Sequence, residues 1–299
     1  MKNRIKGVAL AASSAALYGL NPLFAVPLYG QGMAPSSVLF FRYLFASALL
    51  VLYLLIRRAP FGMTRRQTAW IFLLGILFGV SSQLLFESYR WMDVGLASSL
   101  LFVYPVLTTV FMALFFHEKM KASTVISLLL AVGGVALLSG GGGNMSLAGF
   151  IMVLLSAFTY AGYLIGVRET AVKDLSSAVL TLYTLLFGLL VFAASIAVKD
   201  GLQLPQDAAG WGLAFGSGLF CTTLSLGTLS VAIHYVGPTV TSILGALEPV
   251  TGVLIGVLAF GERLTAANAL GIFLIITAVM LIIAAGPIMH ALRYGRRKF

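Results

Sequence analysis

Glu248 is the residue of this sequence best placed to do chemistry. It precedes Pro249 inside a long apolar run, ten residues beyond Pro238. An acid at the centre of a spanning helix costs about 2.5–3.5 kcal/mol on insertion scales, so it is expected to face water or a partner. Pro249 has no N–H to give to the carbonyl of Gly245. A carboxylate beside a freed carbonyl would seat a proton or an ammonium group; the alternative is a protonated or internally bonded structural glutamate. At the matching place upstream stands Tyr104-Pro105, so the site is expected to have one acidic and one aromatic wall. Pro105 and Pro249 mark two helices interrupted at similar depth.

Arg42 and Glu87 are the next pair. Each lies near the end of an apolar run, at similar shallow depth, and an ion pair near the outer rim is the expectation. The readings open for it are a link between helices, a snorkelling arginine, an outer gate or a carboxylate-binding group. Around these positions lie Tyr18, Asn21, Gln83, Tyr160, Tyr163, Thr241 and Ser242. Tyr18 and Asn21 sit one helical turn apart beside Pro22, and Tyr160 and Tyr163 repeat the spacing. Rings and hydroxyls around one acid suit an amphipathic organic molecule better than a bare ion, although each residue singly could serve packing alone.

The elements that must hold these residues follow from composition. The chain has 299 residues, 60% hydrophobic and 9% charged, where a soluble domain carries about 25% charge. A soluble enzyme is excluded. Cys221 is the one cysteine, which excludes disulfides and cysteine-based metal sites. No metal and no cofactor is expected, and the absence of a phosphate-binding G-x-x-x-x-G-K-[ST] run argues against ATP-driven pumping. Apolar runs place spans near 7–28, 36–56, 69–89, 94–116 and 122–139, then near 147–167, 176–198, 209–233, 238–260 and 266–285. The first run is longer than a signal peptide's core and is expected to be a retained helix. Small-residue pairs such as Gly75 with Gly79, Gly162 with Gly166, Gly212 with Gly216 and Gly252 with Gly256 read as helix-packing surfaces.

Lysine and arginine sort strongly by loop. With the amino end inside, fifteen of the 19 fall on the inner side, and Arg90, Lys199 and Arg263 outside. The positive-inside rule therefore puts both tails in the cytoplasm. The net charge of +10 thus reflects topology and not a nucleic-acid surface. The expected partners are a small-molecule substrate and the lipid bilayer.

The chain also repeats itself. A shift of 144 aligns Ser98 with Ser242, Pro105-Val106 with Pro249-Val250 and Glu118 with Glu262. A shift of 142 aligns Gly7 with Gly149, Ser14 with Ser156 and Tyr18 with Tyr160. The expectation is an all-α polytopic membrane protein with ten transmembrane helices in two five-helix repeats. Residues 1–139 form the first repeat, 140–146 a glycine-rich linker, 147–285 the second repeat and 286–299 a basic cytoplasmic tail. Five spans per copy invert the second copy, the usual architecture of alternating access in secondary transporters. The competing functions are a channel-like facilitator and an intramembrane enzyme. Against the enzyme, Asp93, Asp174, Asp200 and Asp207 are scattered and His117, His234 and His290 lie in or near loops or the tail.

The segments Gly95–Pro105 with His117-Glu118-Lys119, and Thr241–Pro249 with Gly261-Glu262-Arg263-Leu264-Thr265, resemble the EamA family of the drug/metabolite transporter superfamily. The resemblance covers residues 5–285. It implies inverted five-helix repeats, cytoplasmic tails, a central cavity and, frequently, export of metabolites or amino acids across the cytoplasmic membrane. A second acid often precedes the fourth-helix proline in that family; here the place is Tyr104. Glu118 and Glu262 are expected to support the starts of the following helices.

Overall fold

The computed structural model describes residues 2–92, 97, 100–138, 146–199, 201–260 and 265–295. Among these the regular structure is helical. The helices are α1 (Lys2–Tyr18), α2 (Asn21–Gly30), α3 (Pro35–Ile56), α4 (Arg65–Ser88), α5 (Tyr104–Phe116), α6 (Ala122–Leu138) and α7 (Leu147–Glu169). After a short 3-10 turn, Ala171–Asp174, follow α8 (Ser177–Val198), α9 (Ala208–Gly216), a π-helical segment (Ser217–Leu224), α10 (Ser225–Leu244), α11 (Leu247–Phe260) and α12 (Ala266–Gly295). Six stretches are long and apolar enough to cross a membrane, and four shorter apolar helices complete ten spans. The expected linker lies outside the described residues except for Ser146, as do Glu262 and the last four residues of the basic tail.

Local chemistry sets the ends. Thr64 and Gln67 form a capping box at the start of α4, and Ser146, Ser176 and Asp207 cap α7, α8 and α9. The Asp207 carboxyl accepts from the Gly210 N–H at 2.6 Å and the Gln31 amide at 3.0 Å. These two bonds, Gly210 first, hold it below the usual carboxylate range. Gly237 adopts φ +84, a conformation open to glycine. With Pro238 it divides the eighth span from the ninth.

Four spans depart from simple rods among the described residues, the fourth by a turn at Phe102-Val103 ahead of Tyr104. The first is two helices, α1 and α2, separated at Gly19-Leu20 ahead of Pro22. The eighth contains the π segment. The ninth breaks at Gly245-Ala246 and resumes as α11. The interruption thus comes before Glu248, which stands in the first turn of a new helix instead of midway along one.

The packing has an internal two-fold relation. The first span packs on the eighth and the sixth on the third; the fourth packs on the sixth and the ninth on the first. The fifth packs on the tenth, and the second on the seventh. Exchanging each span for the one five places on returns the same set, as two inverted five-helix repeats require. Atomic contacts repeat too. Ser14 and Ser225 donate to each other's carbonyls at 2.8 and 3.0 Å. Ser81 and Ser156, their repeat mates, do so at 3.0 and 2.8 Å. Gly7 leaves room for Tyr235 and Val236, and its mate Gly149 leaves room for Trp91 and Met92. Gly75 and Gly79 similarly admit α8, whereas Gly212 and Gly252 face open space and are not packing positions.

Candidate functional site

The breaks in the first and ninth spans, with the start of α5, bring the chemically able residues together. Tyr18 ends α1, Asn21 begins α2, Tyr104 begins α5 and Glu248 is the second residue of α11. Two cavities meet there. An inner cavity of about 380 Å³ is lined by Tyr18, Tyr104, Tyr160, Thr241, Ser242 and Glu248 among others. A larger vestibule of about 920 Å³ shares Tyr18, Tyr104 and Glu248 with it and adds Asn21, Tyr29, Phe86, Tyr89 and Phe102. Tyr29, Phe86 and Tyr89 also line a mouth of about 950 Å³ with Gly32, Ala34, Arg90 and Gln203. The path therefore leads from the face where α2 ends (the distal face) inward to Glu248. The face where α1 begins is the basal face.

Tyr104 helps to fix this junction. Its hydroxyl donates to the Ser242 carbonyl at 3.3 Å and its ring meets Tyr160 edge-on at 4.7 Å. Gly245 is what admits it, since a Cβ there would occupy the place of the Tyr104 hydroxyl. The Gly245 carbonyl is not free: it accepts from the Glu248 N–H at 2.9 Å. The turn at the break supplies the donor that Pro249 lacks, so the carbonyl beside the acid is not freed as expected. Among the described residues the Glu248 carboxylate has no hydrogen-bond or ion-pair partner.

Arg42 and Glu87 do not pair. Arg42 is 2% exposed and is held by oxygens of other helices. Its Nε donates to Thr222 Oγ1 at 2.5 Å, Nη1 to Asn21 Oδ1 at 2.8 Å and Nη2 to the Cys221 carbonyl at 3.2 Å. The guanidinium also lies 4.9 Å from the Tyr18 ring centre. Thr222 and Cys221 come from the π segment, a distortion often found at functional positions. Glu87 instead accepts from Lys199 at 3.1 Å and from Arg90 at 3.4 Å on the distal face. Equal depth says nothing of rotation about the helix axis, and rotation sends the two side chains to different neighbours.

Gln83 and Tyr163 also lie apart from the cavities. The Gln83 amide donates to Ser195 at 3.2 Å, and Tyr163 is buried against the Phe78 ring at 4.8 Å. The ring wall of Tyr29, Phe86, Tyr89 and Phe102 was not signalled by sequence, because aromatic residues near span ends are common everywhere. Glu118 was read as a helix-start group, yet it reaches across the repeats to accept from Thr239 at 3.0 Å. Among the described residues no three of His, Cys, Asp and Glu cluster as a metal site would.

His234 Nε2 meets the Lys173 carbonyl at 2.8 Å on the basal side, and two further bonds seal it. One is Thr239 to Glu118. The other runs from Arg168 Nη1 to the Ile233 carbonyl at 3.2 Å, one turn before the kink at Gly237. The repeat mates of Arg168 and Ile233 are Val26 and Tyr89, and both stand in the open vestibule wall. The Arg168 joint is thus closed on the basal face while its counterpart lines the vestibule; Gly95 and Glu262, equivalent to Thr239 and Glu118, lie outside the described residues.

The model of the EamA-like transporter family matches residues 5–140 and again 147–284. "Uncharacterized inner membrane transporter YedA" of Escherichia coli strain K12 is 25% identical over 265 residues, 87% of this chain and 85% of its own. "Uncharacterized transporter YvbV" of Bacillus subtilis is 26% identical over 200 residues, and the match spans 64% of this chain and 64% of YvbV. A solved crystal structure superposes with a TM-score of 0.82 at 16% identity, covering 96% of this chain and 98% of its own, which shows the shared fold. With two matched repeats, ten apolar spans and a two-fold packing pattern, this integral membrane protein belongs to the EamA-like transporter family.

Proposed function

We propose that the protein is a secondary carrier that moves small organic molecules, amino acids or related compounds, across the cytoplasmic membrane by alternating access. Residues 1–139 and 147–285 act as the two moving repeats, joined by 140–146, and the tail 286–299 stays in the cytoplasm. The basal face is then cytoplasmic, in keeping with the distribution of lysine and arginine, and export is driven by protons or by exchange. The observation that carries the reading is the closed and open pair of equivalent joints. The chain of cavities reaches Glu248 from the distal face, while the basal side is sealed by the bonds of Thr239 and Arg168. Inverted repeats that exchange conformations would open the basal joint and close the distal one.

Counterflow in proteoliposomes tests this. Vesicles preloaded in turn with pools of amino acids, amines, nucleobases and organic acids should accumulate label with one pool, and accumulation should saturate. Flux that never saturates and shows no counterflow would make the protein a channel-like facilitator instead.

A further inference from the structure

We propose that the vestibule is a site for organic cations, in which an ammonium group sits at Glu248 and the apolar body of the ligand lies against the surrounding rings. The inference rests on the reading of this cavity as the transport site and narrows its ligand. Among the residues lining the vestibule, Glu248 is the one acidic or basic side chain, and six rings accompany it: Tyr18, Tyr29, Phe86, Tyr89, Phe102 and Tyr104. Ring faces attract cations and repel anions, and cages of this kind recognise ammonium ligands.

An anion would find neutral donors in this wall, the Asn21 amide and tyrosine hydroxyls, and no cation. Arg42, the nearby cation, stands behind Tyr18 and gives three of its five N–H donors to Asn21, Thr222 and Cys221. The helix starts do not substitute for it. The Glu248 N–H is bonded to Gly245, the Leu107 N–H to Val103, and Pro105 and Pro249 have none. A carboxylate entering the vestibule would lose its water without charge compensation, so a free amine is preferred over the zwitterion with the same side chain.

Three probes with one ring and different charge separate the cases: 2-phenylethylamine, phenylalanine and 3-phenylpropionate. Their binding to the full chain in nanodiscs is measured by calorimetry against empty nanodiscs. The amine should bind at least about tenfold more tightly than phenylalanine, and 3-phenylpropionate should not bind. Glu248→Gln should weaken the amine about a hundredfold. Tyr29→Leu should weaken it about fivefold. The second variant guards against misfolding, because among the described residues the Tyr29 hydroxyl has no hydrogen-bond partner to leave behind. Equal or tighter binding of phenylalanine or 3-phenylpropionate, or binding of none of the three, overturns the proposal. Amine binding without counterflow upholds it and refutes the carrier. Counterflow of an acid without amine binding does the reverse.

Discussion

Breaking the basal seal should open the inner cavity to the face where α1 begins. Thr239→Val removes the hydroxyl that donates to Glu118 at 3.0 Å, and Arg168→Gln removes the guanidinium that donates to the Ile233 carbonyl at 3.2 Å. Glu118 is exposed and the Arg168 side chain is 44% exposed, so each bond is discounted for solvent to about 1 kcal/mol. One kcal/mol shifts a two-state population about fivefold, and two independent losses shift it about thirtyfold. Ala11 is 2% exposed and lines the inner cavity, so Ala11→Cys is a reporter with a small change in volume. Native Cys221 is fully buried and gives little background. The rate at which an impermeant thiol reagent labels this cysteine from the basal side should rise about fivefold in either single variant and about thirtyfold in the double. Thr228→Val is the control, because Thr228 bonds only within its own span and should leave the rate unchanged. No change in the double variant, or faster labelling from the distal side alone, would refute the reasoning.

Other perturbations read other parts of the structure. Glu248→Gln should abolish pH-driven flux and slow exchange of the amine below saturation, because the carboxylate is the partner of the ammonium group. The ionisable groups that interact with Glu248 are Arg42, Tyr18, Tyr104, Tyr160 and Cys221. The carboxyl is the member of that set that must be ionised to hold a cation, so acidification should weaken amine binding in the native protein and not in the variant; persistence of the pH effect in Glu248→Gln would sink this role. Ser225→Ala and its repeat mate Ser81→Ala each remove one half of a reciprocal serine pair. Each should cost about 0.6–1.7 kcal/mol of unfolding free energy in detergent, and a large inequality between them would contradict their equivalence. Gly245→Ala should lose about 1–3 kcal/mol to overpacking against Tyr104. Combining it with Tyr104→Phe should recover part of that loss; no recovery would place the strain elsewhere.

Much of the architecture was legible because hydropathy and duplication are one-dimensional signals. Apolar runs locate spans, and the shift that aligns Ser14 with Ser156 relates serines occupying equivalent joints. What the sequence hides is rotation and local helix type. Arg42 and Glu87 share a depth but face different helices. The π segment that supplies Thr222 and Cys221 to Arg42 leaves no mark in an apolar run. The proline rule located the ninth-span interruption only to within a turn, because Gly245 yields before Pro249 does. In the cavity walls, Glu248, Tyr104, Tyr18, Asn21, Tyr160, Thr241 and Ser242 stand beside one another. Gln83 and Tyr163 do not, since a polar group in a span can equally satisfy a neighbouring helix.

The two repeats agree where they pack and disagree where they carry charge. The serine pairs and the close approaches at Gly7 and Gly149 are kept in both copies. By contrast Arg42 aligns with Thr184, and Glu248 with Tyr104. Two conformations of similar energy require equivalent backbone joints, and small residues with reciprocal hydroxyls supply them without charge. A ligand needs no such equivalence, and a single acid binds a cation without a second acid repelling it into protonation. One buried base and one acid, each introduced in a different copy, also keep the centre neutral when both are ionised, which lowers the cost of placing charge at this depth. Variants of the shared contacts should therefore shift the balance between inward- and outward-open states with ligand affinity corrected for that balance unchanged. Variants of Glu248 should change the affinity and leave the thiol-labelling balance of the empty protein within about twofold. If both classes moved both readouts alike, the division between scaffold and site drawn from the repeat would be wrong.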